Sequence, residues 1–279
     1  MNPLVSPQWL ADRLTDSNVI VLDATLPPVG VTPVIDTHAR YLEKHIPGAV
    51  FFDIDELSDH STSLPHMMPT EQSFSESMSA LGVGDEMTIV VYEQEGVFSA
   101  PRAWWMLRTF GAGDVYVLDG GLRAWIDAGL PVQSGEVVRD NAHFSARLDC
   151  DVVKDFAEVQ QMIAKHAQIL DARSAGRFTG AAPEPRAGIS SGHMPGATSV
   201  PFLELAQDGR MKDAHGLREI FAAKGVKLDQ PITTTCGSGV TAAVIALGLE
   251  IAGAGQVSLY DGSWAEYAQK PEAVIEKNP

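Results

Sequence analysis

Short apolar runs alternate with longer mixed stretches along this chain, and glycines punctuate the joins. Val19-Ile20-Val21-Leu22 is β-branched and closes on Asp23 and Ala24, which predicts a buried strand ending in a carboxylate. Val50-Phe51-Phe52, Thr88-Ile89-Val90-Val91-Tyr92 and Val115-Tyr116-Val117-Leu118 predict further strands. Between them the pattern lengthens to a helical period. Helices are expected over 40–45, over 74–81 with Gly82 as the stop, over 100–110 ended by Gly111, and over 122–128.

The same pattern then runs a second time. Gln168-Ile169-Leu170-Asp171-Ala172 repeats the first strand, and His193-Met194-Pro195-Gly196-Ala197 repeats His45-Ile46-Pro47-Gly48-Ala49. Asp23 lies 22 residues before His45, and Asp171 lies 22 before His193. Val257-Ser258-Leu259-Tyr260-Asp261-Gly262 repeats the strand that ends at Asp119-Gly120. A period this long is a duplicated domain, not a solenoid unit. Strands alternating with helices predict an α/β fold in each half, a mainly parallel sheet flanked by helices. The expected division is a first domain over 1–137, a polar linker over 138–154 and a second domain over 155–279.

Composition narrows the class. The 279 residues are 45% hydrophobic and 20% charged, enough to bury an ordinary core. No apolar run reaches the roughly 18 residues of a membrane span. Met1-Asn2-Pro3-Leu4-Val5-Ser6-Pro7 lacks the basic start and apolar core of a secretory signal, so a cytoplasmic protein is expected. A net charge of −16 argues against nucleic acid as a partner. The two cysteines, Cys150 and Cys236, form no disulfide framework and no CxxC pair, so a zinc site is not expected. Cys150 lies in a polar stretch and reads as incidental.

Cys236 is different. Pro231-Ile232-Thr233-Thr234-Thr235 predicts a buried strand, Gly237-Ser238-Gly239 a tight loop, and Ala242 to Ile251 a helix. Loop amides and the first N–H groups of that helix would surround the sulfur with donors, favouring the thiolate. Aligning the two halves puts Glu93 opposite Cys236, so only the second half carries a nucleophile. One active site is therefore expected, in the second domain, with the first closing over it.

The strand–cysteine–loop–helix unit, the paired HIPGA and HMPGA turns and the duplicated layout resemble the rhodanese family of sulfurtransferases, over nearly the whole chain. The loop Cys236-Gly237-Ser238-Gly239-Val240-Thr241 resembles the CGSGVT pattern of that family's 3-mercaptopyruvate branch. Phe98-Ser99-Ala100-Pro101-Arg102-Ala103-Trp104-Trp105 and Tyr260-Asp261-Gly262-Ser263-Trp264 are similar to that branch as well. The resemblance implies two tandem rhodanese-like domains and a ping-pong reaction. The Cys236 thiolate takes sulfur from 3-mercaptopyruvate, pyruvate leaves, and the persulfide passes to cyanide or to a thiol acceptor such as thioredoxin or a small thiol. A monomer is implied, with no metal or organic cofactor and no membrane partner.

The resemblance also implies roles by residue. Arg177 and Arg186 would bind the substrate carboxylate and carbonyl, which suits the planar guanidinium fork. Gly237, Gly239, Val240 and Thr241 would line the anion-binding loop. Ser238, His66 and Asp55 would form a relay that moves a proton. The alternative for His66 and Asp55 is a structural role at a domain interface. The neighbouring Glu184 is expected to offset Arg186 in part.

Three rivals remain open to test. A cysteine phosphatase or arsenate reductase would need an arginine to close a C-x5-R loop, and Ala242 stands there. A thiosulfate sulfurtransferase would suit a charged loop, whereas Gly237-Ser238 is neutral. A non-catalytic sulfur-binding module would have no use for Cys236 together with two arginines.

Overall fold

The computed structural model describes residues 2–278, and the chain divides into two units. The first gathers the chain up to Asp59 with Met68–Asp149 and Asp208–Met211. The second gathers His60–Met67, Cys150–Gln207 and the chain from Lys212 onward.

The first unit contains β1 (Leu4–Val5), α1 (Pro7–Ala11), β2 (Val19–Asp23), α2 (Thr37–Glu43) and β3 (Val50–Phe51). It continues with α3 (Glu71–Ala80), β4 (Thr88–Tyr92), α4 (Ala100–Thr109), β5 (Asp114–Leu118) and α5 (Gly121–Asp127). Its sheet runs β1-β5-β4-β2-β3 with every pairing parallel. The second unit opens with β6 (Val153–Lys154), α6 (Phe156–Ala164), β7 (Gln168–Asp171), α7 (Ala175–Thr179) and β8 (Thr198–Ser199). Two short strands follow, β9 (Ala206–Gln207) and β10 (Arg210–Met211), of which β10 belongs to the first unit. The second unit then resumes with α8 (Ala214–Ala223), β11 (Ile232–Thr235), α9 (Val240–Ala252), β12 (Val257–Tyr260) and α10 (Ser263–Tyr267). Its sheet runs β6-β12-β11-β7-β8, again all parallel and in the same order as the first. No helix among the described residues is long and apolar enough to cross a membrane.

The cores follow from the apolar runs. Val19, Val21, Val90 and Tyr92 pack with Leu118, Leu122 and Trp125 in the first unit. Val159, Ile169 and Met194 pack with Tyr260, Trp264 and Tyr267 in the second. Parallel strands covered on both faces are buried throughout, and all five residues of β2 are. The central strand β11 holds three buried threonines, and two of their hydroxyls find partners on β12. Thr233 Oγ1 meets Ser258 Oγ at 2.9 Å, and Thr234 Oγ1 donates to Ser258 O at 3.3 Å.

Some boundaries depart from the apolar pattern because caps set them. α3 begins at Glu71, three residues before its first apolar position, since Thr70 Oγ1 accepts the N–H of Ser73. α9 begins at Val240, because Gly239 turns the chain with φ 81° and starts the helix there. Val240 and Thr241 are thus first-turn residues of α9 and not loop.

Sheet register aligns the halves. Asp23 pairs with Tyr92, and Asp171 pairs with Thr235, so Glu93 and Cys236 each follow the end of a central strand. The N–H of Leu122 donates to Glu93 O at 3.0 Å, as that of Trp264 does to Cys236 O at 2.9 Å. The side chain of Glu93 is turned into the start of α4. Its Oε1 accepts the N–H groups of Phe98 (2.7 Å), Ser99 (3.2 Å) and Ala100 (3.2 Å), and its Oε2 accepts from Ser99 Oγ at 3.4 Å. Burial pushes its pKa up to about 7, against the pull of those N–H groups, and the nearby Asp23 charge adds to the rise.

A carboxyl raised from 4.5 to about 7 holds its proton more tightly when folded. Its contribution to stability is full below about pH 4.5 and is lost as pH rises through about 7. Each tenfold gain in proton affinity on folding corresponds to ~1.4 kcal/mol of that contribution. Urea unfolding of the wild type should weaken between acidic and neutral pH, and Glu93→Gln should flatten that slope. Equal slopes in the two proteins would show that Glu93 does not titrate in this window.

Candidate active site

Cys236 stands at the C-terminal end of the central strand β11, the usual place for a site in a parallel sheet. It is 2% exposed. Its loop is pinned from α10. Trp264 N–H donates to Cys236 O, Ala265 N–H donates to Gly237 O at 3.0 Å, and Cys236 N–H donates to Ser263 Oγ at 3.3 Å. Ser263 Oγ in turn donates to Tyr260 O at 2.8 Å. Ser263 is buried and has φ 49°, a left-handed backbone that costs a serine energy. No side chain caps α9, so its N-terminal N–H groups lie open to a negative charge at Cys236.

Two arginines converge beside the cysteine. A Cβ placed on Gly237 would lie 2.9 Å from Arg177 Nη2 and 3.7 Å from Arg186 Nη1. A side chain at 237 would displace the Arg177 guanidinium from this position. Arg186 Nη2 also reaches Ser238 Oγ at 3.4 Å. Ser238 is 5% exposed, and its Oγ lies 2.9 Å from His66 Nδ1. His66 holds φ 60°, an uncommon backbone for a residue other than glycine and one that clusters at functional sites. Its segment, His60–Met67, belongs to the second unit.

Behind Arg177 lies a buried charge network. Arg173 follows β7 and is 1% exposed. Its Nε bonds both oxygens of Asp171 (3.0 and 3.1 Å), its Nη2 bonds Asp171 Oδ2 (2.6 Å) and Gly192 O (2.7 Å), and its Nη1 bonds Glu184 Oε1 (2.8 Å). Its guanidinium lies 4.0 Å from the centre of the Trp264 ring. Burial works against this cation, but Asp171 and Glu184 prevail and hold its pKa above the usual arginine value. Glu184 gives its other oxygen to Arg177, accepting from Nε at 3.0 Å and Nη2 at 2.5 Å.

The second unit therefore brings together Cys236, Gly237, Ser238, Gly239, Val240, Thr241, Arg177, Arg186 and His66. Asp55 belongs to the first unit, in a turn where Asp53 Oδ1 accepts its N–H at 3.0 Å. Glu184 was expected to offset Arg186. Its two oxygens are bonded by Arg173 and Arg177, because the chain folds back from α7 and places residue 184 beside them. Sequence reasoning missed Arg173 and Ser263 as parts of the site, and missed that Glu184 bonds Arg173 and Arg177. The available signal was Asp171 two residues before Arg173, a carboxylate at a strand end with a cation beside it. Cys150 is exposed and lies outside the site. Among the described residues, no group of three or more His, Cys, Asp or Glu side chains could hold a metal ion.

A family model described as Rhodanese-like domain matches residues 6–128 and again residues 155–270. The 3-mercaptopyruvate sulfurtransferase of Escherichia coli (strain K12) is 42% identical over 275 residues, covering 98% of this chain and 97% of that protein. The Homo sapiens protein of the same name is 42% identical over 284 residues, covering 98% and 94%. The thiosulfate sulfurtransferase of Bos taurus is 40% identical over 273 residues, covering 95% and 91%. Among solved structures, SseA from Escherichia coli superposes with a TM-score of 0.87 at 42% identity, covering 95% of this chain and all of the other.

Ser263→Ala removes the acceptor of the buried Cys236 N–H and should lower stability by ~1–3 kcal/mol in denaturant unfolding. Ser263→Gly loses the same bond but relieves the left-handed backbone, so it should unfold later than Ser263→Ala. The reverse order would mean that neither the bond nor the backbone strain governs this turn.

Proposed function

The chain belongs to the rhodanese family, one domain of which lies in each half, and on that footing we propose that it transfers the sulfur of 3-mercaptopyruvate through a persulfide on Cys236. One observation carries the reading. Arg177 and Arg186 meet over Gly237, beside Cys236, and Ser238 two residues on is bonded to a histidine. A 2-oxo acid carries a carboxylate and a polarised carbonyl, and two guanidinium groups suit both.

The Cys236 thiolate attacks the substrate sulfur. The carbon–sulfur electron pair leaves as the enolate of pyruvate, and the transferred sulfur stays on Cys236. The enolate then gains a proton and departs as pyruvate. Ser238 and His66 supply the path for that proton, Ser238 Oγ donating as His66 Nδ1 accepts or the reverse. Asp55 is the third member of the relay in this reading. In the second half-reaction a thiol such as thioredoxin or a small thiol, or cyanide, attacks the outer sulfur and returns the thiolate. The N-terminal amides of α9 offset the charge on sulfur in both states. The reading includes a monomer at work in the cytoplasm.

The relative from Bos taurus named for thiosulfate, at 40% identity, motivates a second reading with thiosulfate as donor. The neutral Gly237-Ser238-Gly239 loop opposes it, since it adds no positive charge for a dianion.

Sulfur transfer to cyanide from 3-mercaptopyruvate and from thiosulfate, measured side by side, should favour mercaptopyruvate in kcat/KM. Cys236→Ser should be inactive, and its intact mass should gain no sulfur after donor treatment. A preference for thiosulfate would replace the donor but keep the persulfide. His66→Asn tests the relay without disturbing the fold, because asparagine tolerates a left-handed backbone. It should slow persulfide formation ~10²-fold or more, and an unchanged single-turnover rate would remove His66 from the chemistry.

A further inference from the structure

Glu184 is buried, with its side chain 4% exposed, yet neither of its oxygens serves a group on its own segment of the fold. One binds Arg173 and the other binds Arg177. Arg173 does not need it for neutrality, since Asp171 already meets it through Nε and Nη2. Arg173 is also fixed on its remaining sides, by Gly192 O and by the Trp264 ring. It is a rigid post, and Glu184 is the arm that connects it to Arg177.

We propose that Glu184 is a positioning residue, which holds Arg177 at the site by the Nε–Nη2 edge and leaves Nη1 for the substrate carboxylate. This rests on the reading of Arg177 as a carboxylate binder. The Arg177 side chain is 23% exposed and long, so without a partner it would sample many rotamers. With Glu184 accepting from both Nε and Nη2, the guanidinium plane is set before substrate arrives. Among the described residues no hydrogen bond engages Arg177 Nη1. The row Asp171, Arg173, Glu184, Arg177 alternates in sign and sums to zero, so the burial of its inner members strands no charge. The Nη2 end of the same guanidinium reaches the space over Gly237, one residue from the nucleophile. A shift in Glu184 would therefore be felt where the substrate binds.

The test separates the two half-reactions. Loading of Cys236 needs the 2-oxo acid carboxylate, whereas discharge of the isolated persulfide to cyanide does not. Glu184→Gln should lower kcat/KM for loading by 3-mercaptopyruvate roughly tenfold or more, chiefly through KM, and leave the discharge rate within about twofold of wild type. Glu184→Asp keeps the charge beside Arg173 but shortens the reach to Arg177. It should show the same split with a melting temperature close to wild type, and it carries the test should Glu184→Gln fail to fold. Arg177→Gln is the control for the underlying reading. Loading lost in Arg177→Gln but intact in both Glu184 variants overturns the positioning role alone. Equal losses in loading and discharge overturn it as well, since they mark a general structural defect. Loading intact in Arg177→Gln removes the carboxylate role of Arg177, and this proposal falls with it.

Discussion

An acidic group buried at the end of a central parallel strand must be met by N–H groups, and both units are built to that demand. In each, the third strand of five ends beside the start of a helix. In the first unit the group is a carboxyl, Glu93, which folds inward and takes the amides of residues 98–100 for itself. In the second it is a sulfur, Cys236, followed by a shorter loop and by a helix that no side chain caps. One donor arrangement is closed by its own chain, and the other stays open to a ligand. In the proposed reading, that difference lets the second half take a ligand where its duplicate cannot.

The site's positive charge is arranged with similar economy. A protein of net charge −16 that takes an anionic substrate has to hold cations locally against its own field. Arg173 is given over wholly to structure, bonded to two carboxylates and a carbonyl and stacked on Trp264. Arg177 is bonded along one edge and partly exposed along the other. Arg186 reaches Ser238 and the space over Gly237. Arg173 is thus bonded on every side, whereas Arg177 and Arg186 reach the space over Gly237.

Much of this was legible in the sequence. The α/β class, the duplication and the pairing of Glu93 with Cys236 followed from apolar periodicity and from the 22-residue spacing of Asp23 and Asp171 to their histidines. The rhodanese fold followed from the loop and the paired turns. What escaped was set by local polar bonds that leave no period. Thr70 starts α3 through a side-chain cap, three residues ahead of the apolar face. β6 is two residues long, and its identity comes only from its pairing with β12. Glu184 was placed by sequence proximity next to Arg186, but the loop from residue 173 to 192 doubles back and delivers it to Arg173 and Arg177. Proximity along a chain says little about which cation a carboxylate meets once a turn lies between them.

Gly237 carries a consequence for anyone engineering this fold. Its φ lies outside the left-handed region that normally demands glycine. A stabilisation scheme that replaces conformationally ordinary glycines with alanine, to reduce the freedom of the unfolded chain, would select this position as safe. The added methyl would meet only the ends of two arginine side chains and no backbone, so the variant would fold and pass a melting screen. The damage would fall on the guanidinium it displaces. Thermostability and competence are uncoupled at this residue, and a screen that reads only the first would carry the defect forward unseen.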